Sequence, residues 1–146
     1  MRCREAVASD VPALAELAGE LGYPSSAEQV GERFRRLLDH PELHGVFVAE
    51  GADGVAAAWV HVFVSLRLES EPFAEIGGLV VGAASRGGGV GVAMVRCAEA
   101  WARGRGLARL RVRSNVIRER AHRFYERVGF ARLKEQVVLV KELRAP

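Results

Sequence analysis

Residues 73–104 read FAEIGGLVVGAASRGGGVGVAMVRCAEAWARG. An apolar strand-like run ends in Arg86-Gly87-Gly88-Gly89-Val90-Gly91. That loop opens directly onto Val90, Ala93, Met94, Cys97, Ala98 and Trp101, which share one face at helical spacing. A helix N-terminus offers backbone N–H groups without carbonyl partners and the positive end of the helix dipole. Glycines let a ligand approach the backbone without Cβ obstruction, and Arg86 adds a fixed positive charge. This combination suits a phosphate or pyrophosphate.

Better-known phosphate loops fit poorly. A dinucleotide fingerprint starting at Gly89 would need Gly or Ala where Met94 stands, and the acidic ribose ligand expected about 20 residues on is replaced by Arg109, Leu110 and Arg111. A Walker loop needs a lysine next to its last glycine, and this region has none. What remains is R-x-x-G-x-G, carried by Arg86, Gly89 and Gly91.

A second motif follows downstream. Ser114-Asn115 precedes a segment in which Ile117, Ala121, Phe124, Tyr125 and Val128 fall on one helical face, with Gly129 as a left-handed stop and Phe130 after it. The glycine loop and the string HRFYERVGF, in this order, resemble the GNAT superfamily of N-acetyltransferases. The resemblance runs from about Glu50 to Leu143.

The resemblance implies a single acetyl-CoA-dependent N-acetyltransferase domain over residues 1–146. In that reading Arg86, Gly87, Gly88, Gly89, Val90 and Gly91 grip the cofactor pyrophosphate. Backbone amides of Leu79, Val80 and Val81 polarise the thioester carbonyl, Asn115 touches the pantetheine arm and Tyr125 reaches the sulfur. Glu75, in the strand beside the cofactor, is the expected base, with His61 on the neighbouring strand as the runner-up. His122, His40 and His44 are read as bland, Trp59 and Trp101 as core residues. No metal is expected.

The element order read from patterning is β-α-α-β-β-β-α-β-α-β-β. Strands are expected at Arg2–Val7, His44–Glu50, Val55–Leu66, from Ala74, at Leu107–Arg113 and at Glu135–Leu143. Ser9 or Asp10 opens a first helix that Gly22 ends; Ser25 or Ser26 opens a second that Pro41 ends. Glu69–Pro72 is expected as a loop. The fold class is α/β (α+β): a mixed, mostly antiparallel sheet with helices on both faces. Gly77-Gly78 inside a strand points to a bulge.

The 146-residue chain is long enough to bury one core, with 49% hydrophobic and 27% charged residues. No run is long and apolar enough for a membrane helix, and MRCREAVASD lacks the apolar stretch of a signal peptide. Cys3 and Cys97 are too few for a disulfide framework. A cytoplasmic location is expected on these grounds. The net charge of +3 comes almost entirely from arginine, since Lys134 and Lys141 are the only lysines. Basic charge suits anionic coenzyme A. Arg109, Arg111 and Arg113 share one strand face and read as a solvated outer surface; the lack of aromatics between them argues against nucleic acid. The acceptor is expected to be a small-molecule amine, with Glu69, Glu71 and Glu75 favouring a cationic one. A protein amine, a non-catalytic acyl-CoA-binding role and a homodimer stay open.

Overall fold

Alternating apolar residues along 44–66 give strands with two distinct faces. The computed structural model describes residues 1–144. The elements are β1 (Arg2–Glu5), α1 (Val11–Leu21), α2 (Ala27–Leu38), β2 (His44–Glu50), β3 (Ala56–Arg67), β4 (Ser70–Val81), α3 (Val90–Gly104), β5 (Leu110–Val112) and α4 (Glu119–Arg127). The sheet order is β1-β2-β3-β4-β5, antiparallel except for the parallel β4–β5 pair. The mixed, mostly antiparallel expectation holds. Two compact units divide the chain, Met1–Arg113 and a second that begins at Ser114.

Within the first unit the register assigns the two faces. Val46 and Val48 of β2 oppose His61 and Trp59 of β3. Val48 and Trp59 pack with Leu14 of α1 and Phe34 of α2, so this face is covered by the helix pair. The other face carries Ala58, Val60 and Val62, all fully buried. Gly45, opposite Val62, lies under Trp101 of α3: a Cβ there would stand 2.6 Å from the indole nitrogen. Met94, Val95 and Ala98 of α3 are likewise fully buried.

Local chemistry explains the boundaries. Ser26 accepts the Gln29 N–H while Gln29 reaches back to the Ser26 N–H, a capping box that starts α2. Gly22 ends α1 at φ 103°. Asp10 does not cap α1 with its side chain. Its carboxylate instead takes two bonds from Arg4 and one from the Val7 N–H, which ties β1 to the start of α1. The Arg4 hydrogen bonds hold the Asp10 carboxyl below the usual carboxylate range despite burial.

Four expectations need correction. Residues 69–72 are not a loop: β4 starts at Ser70, so the reversal after β3 is only Leu68-Glu69. The strand expected over Leu107–Arg113 shrinks to Leu110–Val112, the stretch that pairs with β4. Glu135–Leu143 has the apolar run of a strand but joins no ladder among the described residues, and Val137–Val140 stand exposed. Cys3 and Cys97, 94 residues apart, are joined by a disulfide because α3 lies against β1. Among the described residues no helix is long and apolar enough to cross a membrane.

Candidate active site

The ladder between β4 and β5 covers three register pairs and ends at Ile76–Val112. From Gly77 to Val81 one edge of β4 therefore has no strand partner among the described residues. Leu79, Val80 and Val81 remain paired with Val60, Trp59 and Ala58 on the opposite edge. Alternate backbone groups along the free edge are available to a ligand.

The expected bulge lies at this point. His61 pairs with Gly78 and Val62 with Ile76, so Gly77 is the extra residue. Its neighbours require glycine. A Cβ at Gly77 would stand 2.8 Å from His61 Nδ1, and one at Gly78 would stand 2.9 Å from the Trp59 ring.

Beyond β4 the chain makes a short turn at Ala83–Ser85 and reaches the glycine loop. Gly87 and Gly89 take φ of 83° and 80°, and nothing lies within 4 Å of where their Cβ atoms would be. Gly89 is the residue immediately before α3. The conformation demands glycine, and the empty space beside it leaves room for a ligand against the helix N-terminus. Arg86 is anchored rather than free, its Nε donating to the Val81 carbonyl at 3.2 Å, with Glu20 4.0 Å from its guanidinium.

Glu75 sits in the middle of β4, not at its start, paired with Phe63 on one side and Arg111 on the other. It is buried, at 9% exposure. Its Oε1 has no hydrogen-bond partner among the described residues, and Arg113 Nε stands 3.5 Å away, near enough for attraction but without bonding geometry. A buried carboxylate oxygen left without a hydrogen bond is costly.

His61 and His44 form a pair that sequence reading missed. Their rings stack, and His44 Nδ1 lies 3.0 Å from His61 Nε2, so one donates and the other accepts. The other His61 nitrogen faces the Gly77 backbone. The hydrogen bond with His44 occupies Nε2 of His61. Burial, with His44 adding to it, pushes the His61 pKa down to about 4. An imidazole whose pKa is lower folded than unfolded is destabilising in acid, because the unfolded chain takes the proton first. Stability should therefore fall as pH drops from about 6.5 toward 4, by roughly 3 kcal/mol at most. Urea titrations at pH 7.5 and 4.5 check this, and His61→Gln should flatten the decline.

The second unit holds the other expected residues. Tyr125 lies on α4 with ring contacts to Phe124 at 5.2 Å and Phe130 at 5.5 Å. Burial raises its phenol above the ordinary value, so the hydroxyl stays protonated and can donate. Gly129 closes the helix at φ 104°, and the Phe130 N–H bonds back to the Tyr125 carbonyl. Asn115 Oδ1 accepts the Ile117 N–H at 3.2 Å, shaping the approach to α4. His122 Nε2 donates to the Asn115 carbonyl at 2.8 Å. Ile117, expected on the helix's apolar face, precedes the helix and is 80% exposed.

Of the three arginines expected on a solvated face, Arg109 and Arg113 are exposed and Arg111 differs. Arg111 is half-buried, its guanidinium 4.6 Å from the centroid of the buried Phe73 ring, and Arg67 lies over the same ring at 5.2 Å.

Comparison with known proteins bears on these features. The family model described as the acetyltransferase (GNAT) family matches residues 11–130. No curated protein matches the chain in sequence. Among solved structures, an aminoglycoside 6'-N-acetyltransferase from Acinetobacter haemolyticus superposes with a TM-score of 0.83 at 20% identity, covering 99% of this chain and 100% of that one. A glucosamine-6-phosphate N-acetyltransferase from Arabidopsis thaliana gives 0.82 at 21% identity, covering 97% and 98%. A protein of Agrobacterium tumefaciens strain C58 described as an acetyltransferase gives 0.83 at 27% identity, covering 97% and 100%.

Proposed function

Because the chain belongs to the acetyltransferase (GNAT) family, we propose that it transfers an acetyl group from acetyl-CoA to a primary amine of a small molecule, by direct attack on the thioester. The observation that carries this reading is the glycine loop. Gly87 and Gly89 hold positive φ beside empty space, at a helix N-terminus that directly follows the free edge of β4. Gly87, Gly88, Gly89, Val90 and Gly91 take the pyrophosphate, with the Arg86 charge nearby. The free edge at Leu79, Val80 and Val81 receives the rest of the cofactor and offers N–H groups to the thioester oxygen. Asn115 keeps a side-chain amide nitrogen for the pantetheine arm.

In the transfer the amine nitrogen forms a bond to the thioester carbonyl carbon. The C–S bond then breaks, and the amine loses a proton. Glu75 takes that proton, and Tyr125 donates a hydrogen bond to the departing thiolate. The small-molecule acceptors named for two of the structural neighbours support the choice of acceptor class over a protein amine. Retention of both a buried carboxylate and a protonated tyrosine supports an enzyme over a non-catalytic binding domain.

Thiol release from acetyl-CoA across a panel of amines tests the reading; no release with any amine overturns it. Binding is tested separately. Acetyl-CoA should raise Tm, since a ligand of the native state stabilises it by mass action. NADH and ATP should do so much less. Gly89→Val adds a Cβ into the open space and forces a β-branched residue to positive φ. The acetyl-CoA shift, measured against the variant's own baseline, should vanish. An undiminished shift would remove the loop from the cofactor site.

A further inference from the structure

We propose that the acceptor amine carries an anionic group, a carboxylate or phosphate, and that Arg111, seconded by Arg67, receives it. The inference rests on the acetyl-transfer reading above and names the substrate class of that site.

The argument starts from register. Glu75 and Arg111 are direct partners across the parallel β4–β5 pair, and Phe73 is two residues before Glu75 on the same face. Neighbouring strands are about 4.8 Å apart. A substrate ammonium on the unpaired Glu75 Oε1 therefore has the Arg111 guanidinium within the reach of a small molecule. Glu75 Oε1 has Arg113 Nε 3.5 Å away without bonding geometry, and Arg67 has the exposed Glu69 at 3.9 Å. Arg111 has no carboxylate within 4 Å among the described residues. It is instead spread on the buried Phe73 ring, half-buried and with its fork of N–H donors uncommitted to any anion. Of Arg67, Arg111 and Arg113, Arg111 is the one left without a carboxylate partner among the described residues. A plain diamine would meet that charge with its second ammonium.

These arginines do not belong to the cofactor pyrophosphate. From Glu75 to Val81 the strand advances about 20 Å at 3.3–3.4 Å per residue, and the glycine loop lies beyond that. Arg67 and Arg111 occupy the opposite end of β4, where the acceptor's remote portion would fall.

The experiment compares acceptor pairs that differ only in the acidic group: an amino acid against its amide, and glucosamine against glucosamine 6-phosphate. For at least one pair the anionic member should have the higher kcat/KM, by about 100-fold, most of it in KM. Arg111→Met keeps an apolar stem over Phe73 and removes the charge, so folding can be verified by Tm. It should bring the preference close to one, and Arg67→Met should lower it by a smaller factor. Thiol release that favours the uncharged member of every pair overturns this inference alone and leaves acetyl transfer standing. A preference for the anion that survives in Arg111→Met overturns it as well. No thiol release from any amine defeats the acetyl-transfer reading and this inference with it.

Discussion

Tyr125→Phe should lower turnover roughly 100- to 1,000-fold while Tm and acetyl-CoA affinity stay nearly unchanged. The phenylalanine keeps the ring that meets Phe124 and Phe130 edge-on, so the packing of α4 is retained. Only the hydroxyl is lost. Burial raises the phenol's pKa, so at neutral pH it is a donor and not a competing anion. A donor aimed at charge that develops in the transition state is worth about 2.7–4 kcal/mol, the source of the expected range. Full proton transfer is the weaker claim: an unshifted phenol near 10 against a thiol near 8.5 makes it uphill by about 2 kcal/mol, and burial adds to that. A tyrosine needed only for structure gives the reverse pattern, lower Tm with nearly intact turnover per folded molecule. Tm, cofactor affinity and turnover measured on one preparation separate the two, and near-normal turnover would leave the thiolate to backbone amides or water.

Features legible in the sequence are those where one residue type meets a local demand. Gly87 and Gly89 were readable because positive φ excludes other residues, and Gly77 because a strand tolerates glycine where a bulge or a close neighbour requires it. Helix ends at Gly22 and Gly129 are signals of the same kind. The order of elements from β1 to α4 followed from periodicity, which depends only on neighbours two to four residues away, whereas the two strands expected after that helix are not among the described elements.

What sequence reading missed depends on partners far apart along the chain. Arg111 looked like one of three solvated arginines because alternation reports a face without saying what covers it. Only the β4–β5 register brings it onto Phe73, 38 positions earlier in the sequence. His44 and His61 are bland singly and become a bonded pair only through the β2–β3 ladder. Cys3 and Cys97 depend on α3 crossing back to β1. Glu135–Leu143 shows the opposite failure: its pattern is that of a strand, yet a strand needs a ladder as well as a pattern.

Glu75→Gln should reduce turnover by roughly 100- to 10,000-fold near neutral pH, the span covered by general acid–base catalysis. A free alkyl amine with a pKa of about 10.4 is neutral in only about one molecule in 2,500 at pH 7, a handicap of about 4.6 kcal/mol. Glu75 offsets it by drawing the ammonium to its buried carboxylate and taking its proton before the freed lone pair attacks the thioester carbon. Gln is nearly isosteric and can still accept a hydrogen bond, but it cannot take the proton. The defect should therefore shrink as pH rises toward the amine's own pKa, where solvent has already removed the proton. Cofactor affinity should hardly move, because the glycine loop lies beyond the far end of β4. This profile also distinguishes base from scaffold: a residue that only positions neighbours would lower turnover by the same factor at every pH. A rate equal to wild type at pH 7 on a verified acceptor would remove Glu75 from the chemistry. The proton would then leave through water or through His61, whose Nε2 is hydrogen-bonded with His44.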